Sequence, residues 1–235
     1  MMRRIMRVLD GVIFPNEAMR DHFQAAGLLG RTVEALILPP CWTGSFQSTD
    51  DQPQGFSQPN VIFTGRTDLS SATVHAADDL RVLMRQLLDA GIELHHVRSR
   101  ETDDGHPLRQ PFQPMRQADL IRMMARHDAI LIAYNTTACE RDDRFRLTVP
   151  DRLITTVAAG VPVAVPQEGY EGAKQYLQAH PGVLSFRDAA HLRQMLDDRV
   201  RVAELRAQAW AERGLYAAER HAPRLQGFLS ALRSS

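Results

Sequence analysis

The chain has 235 residues, 44% of them hydrophobic, with 28 Lys and Arg against 28 Asp and Glu. That composition excludes a disordered tail, and the balanced charge leaves no global field to draw nucleic acid or an anionic membrane. The length allows one to two domains with a sizeable core. Lysine is almost absent, since Lys174 is the single one among the 28 basic residues.

In chain order, Arg3, Arg4 and Arg7 could open a secretory leader, but Asp10 and Pro15 interrupt the apolar run that a leader needs, so none is expected. Short β-branched runs at 12–14, 35–38, 61–64, 92–97, 129–134, 161–165 and 183–186 read as strands. Several are apolar throughout, as strands buried on both faces are. Between them, Leu80, Leu83, Met84, Leu87 and Leu88 keep helical spacing before Gly91, and Ala118, Ile121, Met124 and Ala125 make a similar stripe. A further helix is predicted from Pro150 to Gly160, with Leu153, Ile154, Val157 and Ala158 turned inward. Helices are expected near 188–196, 200–213 and 215–232, the last broken or kinked at Pro223. Strands alternating with covering helices predict an α/β fold, a Rossmann-like parallel sheet with helices on both faces.

Three stretches lack periodicity. Residues 43–60, rich in Gln, Ser, Asp, Pro and Gly, read as an extended linker, residues 101–114 as a long surface loop, and residues 139–146 as a charged loop. Cys41 and Cys139 cannot form a disulfide framework, which fits a reducing, cytoplasmic setting, and both read as small buried hydrophobes. No apolar stretch approaches the roughly 18–20 residues that span a bilayer. His95 and His96 are adjacent on a strand and point to opposite faces, so they cannot share one ion, and no metal site or cofactor is predicted. Walker-type loops, G-x-G-x-x-G and G-x-S-x-G are all absent.

The segment PDRLITTVAAGVPVAV at 150–165 resembles GT-B glycosyltransferases, in which a Pro-x-Lys/Arg-Leu helix runs into Ala-x-Gly-x-Pro-Val and a strand. NVIFTGR at 60–66 resembles the strand and turn opening their donor-binding domain, RHDAILIAY at 126–134 the strand before the donor site, and AQAW at 207–210 the segment before the final helices. RIMRVLDGVIFPNEAMR at 4–20 is similar to the closing helix, strand and helix of the acceptor domain. The resemblance therefore implies three segments: 1–42, the end of the acceptor-side Rossmann domain; 43–59, the linker; and 60–235, the donor-binding domain. It implies sugar transfer from a UDP- or GDP-type nucleotide-sugar donor. A partner chain would then supply the acceptor domain, as in the split N-acetylglucosaminyltransferase of the lipid-linked pathway. The alternative is a noncatalytic Rossmann-like interaction module, or a degenerate remnant of a glycosyltransferase.

Ligands of open α/β sheets sit beyond the carboxyl ends of the strands. Gly65 and Arg66 leave such an end, either as a plain turn or as a close backbone approach to a diphosphate with a neutralising guanidinium. Arg152, in the first turn of the Pro150 helix, is either a phosphate or ribose contact or a solvated surface charge. By the resemblance, Thr155 stands where many relatives carry a ribose-binding glutamate, and Leu147 where they carry a second carboxylate. Glu168, Gly169 and Glu171 match a loop that contacts the donor sugar, with a solvated acidic turn as the other reading, and Tyr134 and Asn135, at the carboxyl end of their strand, read either as nucleobase contacts or as strand-end packing. No catalytic residue follows from the sequence.

Overall fold

The structure is a computed structural model that describes residues 9–30, 32–47, 51–65, 76–97, 105–136 and 146–233. The helix expected before Leu9 lies outside the described residues, as do Arg66, Cys139 and most of the charged loop. The chain opens with strand β1 (Gly11–Phe14), helix α1 (Glu17–Ala25) and strand β2 (Glu34–Ile37). β1 and β2 pair in parallel, with Val12 opposite Ala35, so α1 is their crossover. Asn16 caps α1 by accepting the Met19 N–H at 2.8 Å. Its amide donates to Leu147 O at 2.8 Å, which bolts this small sheet to the rest of the molecule.

The large sheet holds β3 (Asn60–Phe63), β4 (Glu93–Val97), β5 (Arg109–Phe112), β6 (Ala129–Leu131), β7 (Val163–Pro166) and β8 (Val183–Phe186). Their order is β5-β4-β3-β6-β7-β8 and every pair is parallel. The direction of winding reverses between β3 and β6, the place where such sheets open a crevice. Strand alternation divides the core in two. Val61, Phe63 and Leu131 pack with Met84, Leu87 and Leu88 of α2 (Arg81–Asp89), while Ile62, Ile130 and Val163 pack with α3 (Gln117–Met124) and α4 (Asp151–Ala159). Pro150 is the N-cap of α4 and Gly160 its C-cap. With φ of +62° and the Trp210 and Ala209 backbones against its Cα, Gly160 has no room for a side chain in either respect.

Two expectations are corrected. Residues 109–112, inside the stretch read as a loop, form β5, with Pro111 opposite His96. The run Arg-Gln-Pro-Phe has no apolar alternation, and proline is tolerated there because β5 is an edge strand. Pro223 does not end the last helix, because α8 (Ala218–Arg233) runs through it after a 3-10 turn at Arg213–Tyr216.

After α5 (Glu171–Tyr176) and β8, helices α6 (Ala189–Asp197) and α7 (Arg199–Ala211) are capped by the Asp188 and Asp198 carboxylates. α8 then returns to the small sheet, where Phe228 and Leu232 lie on Gly11, Arg224 donates to Ile37 O at 2.8 Å, and the Ala218 N–H donates to Trp42 O at 2.9 Å. Between β2 and β3 the described residues contain one 3-10 turn, Gly44–Phe46, and an isolated bridge from Trp42 to Ala217. Arg206 donates to Pro53 O and Arg199 to Phe56 O, and the Phe56 ring lies 5.0 and 4.9 Å from the rings of His95 and His127. Cys41 is half-buried. No helix among the described residues is long and apolar enough to cross a membrane.

Candidate functional site

The site is built where β3 and β6 diverge. Past Leu131 the chain still pairs through the Ile132 N–H to Ala164 O, and beyond that its groups turn to the loops. The Arg152 side chain, one residue into α4, folds back over the sheet end and donates from Nη2 to Ala133 O at 2.6 Å. Its guanidinium carbon lies 4.4 Å from the Tyr134 ring centroid and 5.3 Å from that of Phe63, both within cation–π range. Nε of Arg152 is buried with no hydrogen-bond partner, and no carboxylate pairs with the group among the described residues. Burial pulls its pKa down, while Tyr134, Tyr170 and Asp78 push it up. Arg152 is thus a half-buried guanidinium held by two rings and one carbonyl.

Gly65 is fixed by the same ring, since a Cβ there would overlap Phe63. Glycine lets the chain leave β3 across the face of that ring. Tyr134 and Asn135 belong to the same knot, for the Asn135 N–H donates to Ala77 O at 2.7 Å and joins the segment after β6 to that before α2. Gly169, at φ +78°, faces the Thr136 methyl from the turn after β7. Arg152, Tyr134, Asn135, Gly65 and Gly169 therefore converge at one end of the sheet.

The other candidates stand apart from that knot. Thr155 is buried and accepts from Gln117 Nε2 at 3.0 Å, so α3 already engages its hydroxyl. Its neighbour Thr156 donates to Arg152 O at 2.7 Å. Glu168 is exposed. Glu171 opens α5 and lies 3.7 Å from Arg146, with both side chains half-exposed. Leu147 is buried, and its carbonyl is taken by Asn16 and crowded by Gly172. His95 turns to Phe56 and His127 whereas His96 is fully buried on the other face, and no three metal-ligating side chains converge among the described residues. Sequence reasoning missed Tyr170, Gln117, Phe63 and Asn16, whose parts depend on partners distant in the chain.

No family model and no curated protein matches the sequence. Solved structures do match the fold. The GtfA/B complex is 13% identical with a TM-score of 0.68, over 100% of this chain and 48% of that one. The fold is that of part of a GT-B glycosyltransferase. Sucrose-phosphate synthase from Thermosynechococcus elongatus is 14% identical, TM-score 0.64, over 99% of this chain and 60% of that one. The pneumococcal O-GlcNAc transferase GtfA, in complex with UDP and GlcNAc, is 11% identical, TM-score 0.63, over 96% of this chain and 46% of that one. The chain spans about half the length of these glycosyltransferases.

Proposed function

We propose that this chain is the donor-binding half of a glycosyltransferase and holds a UDP- or GDP-type nucleotide sugar at the carboxyl ends of β3, β6 and β7. The observation that carries the reading is Arg152, a half-buried cation placed at the sheet's reversal point, held by a carbonyl and two aromatic rings with no carboxylate paired to it among the described residues. A diphosphate would supply the missing counter-charge, helped by the N-terminal turn of α4 and by Arg66. Tyr134 and Asn135 would meet the base, and Glu168, Gly169 and Glu171 the sugar. In this reading residues 1–42 are the end of the acceptor-side domain, 43–59 the linker and 60–235 the donor domain. The acceptor and the groups that act on it come from the other half, in a partner chain or elsewhere in the same polypeptide.

Thr155 weakens the donor site in this account. A threonine hydroxyl, already accepting from Gln117, replaces the charge-assisted bonds that a carboxylate would make with the ribose. The same observation favours the second reading, a noncatalytic module of this fold. Calorimetric titration with UDP and GDP separates them. Weak binding that strengthens in Thr155→Glu supports the donor-site reading, and no heat from either protein at millimolar nucleotide supports the noncatalytic one.

A further inference from the structure

We infer that Tyr170 is the positioning residue of this site, acting through the backbone of Tyr134. This rests on the donor-site reading and extends it to a residue that touches no ligand in that reading. Tyr170 sits just after the Gly169 turn and is only 2% exposed. Its hydroxyl accepts from the Tyr134 N–H at 2.6 Å and donates to the Tyr134 carbonyl at 3.2 Å, so one phenol engages both main-chain groups of one residue. The reason is geometric: β7 ends at Pro166, so the chain after β6 runs past the ladder that served Ile132, and its buried polar groups need other partners. The two rings also lie nearly parallel, 12° apart with centroids at 6.3 Å.

The consequence passes outward. Fixing the Tyr134 main chain fixes its ring, on which the Arg152 guanidinium rests, and fixes Asn135 against Ala77. Tyr170 therefore couples the segment after β7 to the one after β6, and holds Tyr134, Asn135 and Arg152 in a single arrangement before a ligand arrives. Preorganisation of that kind shows in affinity, because a ligand that must order its own site binds more weakly.

Tyr170→Phe keeps the ring and removes the hydroxyl. Tyr216→Phe is the control, since that buried phenol donates to Tyr176 O at 3.0 Å, at the opposite end of α5 from Glu171, and UDP carries no donor sugar for Glu171 to meet. Tyr170→Phe removes two hydrogen bonds and Tyr216→Phe one, so both should lose stability and the first should lose more. UDP affinity by calorimetry, on folded protein, should fall about five- to tenfold in Tyr170→Phe and stay unchanged in Tyr216→Phe. Amide exchange at Tyr134 should accelerate in Tyr170→Phe alone. If the wild type binds UDP and Tyr170→Phe binds it equally well, the positioning role is wrong while the donor site stands. If the wild type binds neither UDP nor GDP, both fall.

Discussion

At the amino ends of the large sheet, fully buried Asp128 meets Arg199 through bonds of 2.5 and 2.9 Å and takes two more from the Asn60 main chain and side chain, each at 3.1 Å. At the carboxyl ends, Arg152 is half-buried, and it has one carbonyl, two aromatic faces and an Nε without a partner. The first arrangement satisfies its charges internally and ties the strand starts to α7 and, through Arg199, to Phe56. The second leaves a guanidinium with no ion pair among the described residues, with Asp78 acting on it from nearby. A paired charge holds a fold together, and a guanidinium without an ion pair at the sheet's reversal point stands where ligands of such folds bind.

The largest expected effect lies at the paired end. Asp128→Ala strands the Arg199 guanidinium and the Asn60 donors, and should cost about 3 kcal/mol in urea unfolding, somewhat less than a wholly buried pair because Arg199 is partly exposed. Acid attacks the same end next. His127 is fully buried, and burial, with His95 and Arg126 nearby, lowers its pKa to about 3. The unfolded chain takes up that proton near pH 6.5 while the folded one does not, so this stability is complete above about 6.5 and is lost as pH falls toward 3. Between pH 7 and 5 His127 should account for a loss of about 2 kcal/mol. His127→Gln should flatten the pH profile by that amount, and an unchanged profile would place the titration elsewhere. His180, lowered by burial to about 4, adds a second loss with the same sign.

Smaller effects belong to the carboxyl end and the surface. Arg152→Met should leave urea stability within about 1 kcal/mol of wild type, since a half-buried cation without a counter-charge gains little from its charge and Met keeps contact with the two rings. Breaking the exposed Arg85–Asp89 pair with Arg85→Ala should shift stability by less than about 0.5 kcal/mol, because both side chains are more than half exposed. A large loss from either would undo the contrast between the two ends.

The sequence reveals the sheet best where burial is greatest. β3, β6 and β7 are apolar on both faces and stand out, whereas Arg109-Gln-Pro-Phe at the edge carries no pattern that separates a strand from a loop. α8 runs through Pro223 because it packs against Gly11 at the start of the chain, a tertiary contact that local propensity does not contain. In the site, Gly65 and Arg152 could be found because turn chemistry and a helix start mark them. Tyr170 could not, since it acts on a residue 36 positions away, and Gln117 reaches Thr155 across 38. The motif gave Thr155 its place on α4 but carried no sign that a side chain from α3 had taken its hydroxyl.

The contrast between the two ends is tested most directly by the rise in Tm that millimolar UDP produces in wild type, Arg152→Met and Arg206→Met. Arg206 is a fitting control because it too is partly buried and, among the described residues, bonds only to carbonyls, those of Pro53 and Ala125, and it stands at the amino end beside the field of Asp128. UDP should raise the Tm of wild type and Arg206→Met alike and leave that of Arg152→Met nearly unmoved. Equal shifts in all three proteins, or no shift in the wild type, would contradict the assignment of the carboxyl end as the nucleotide site.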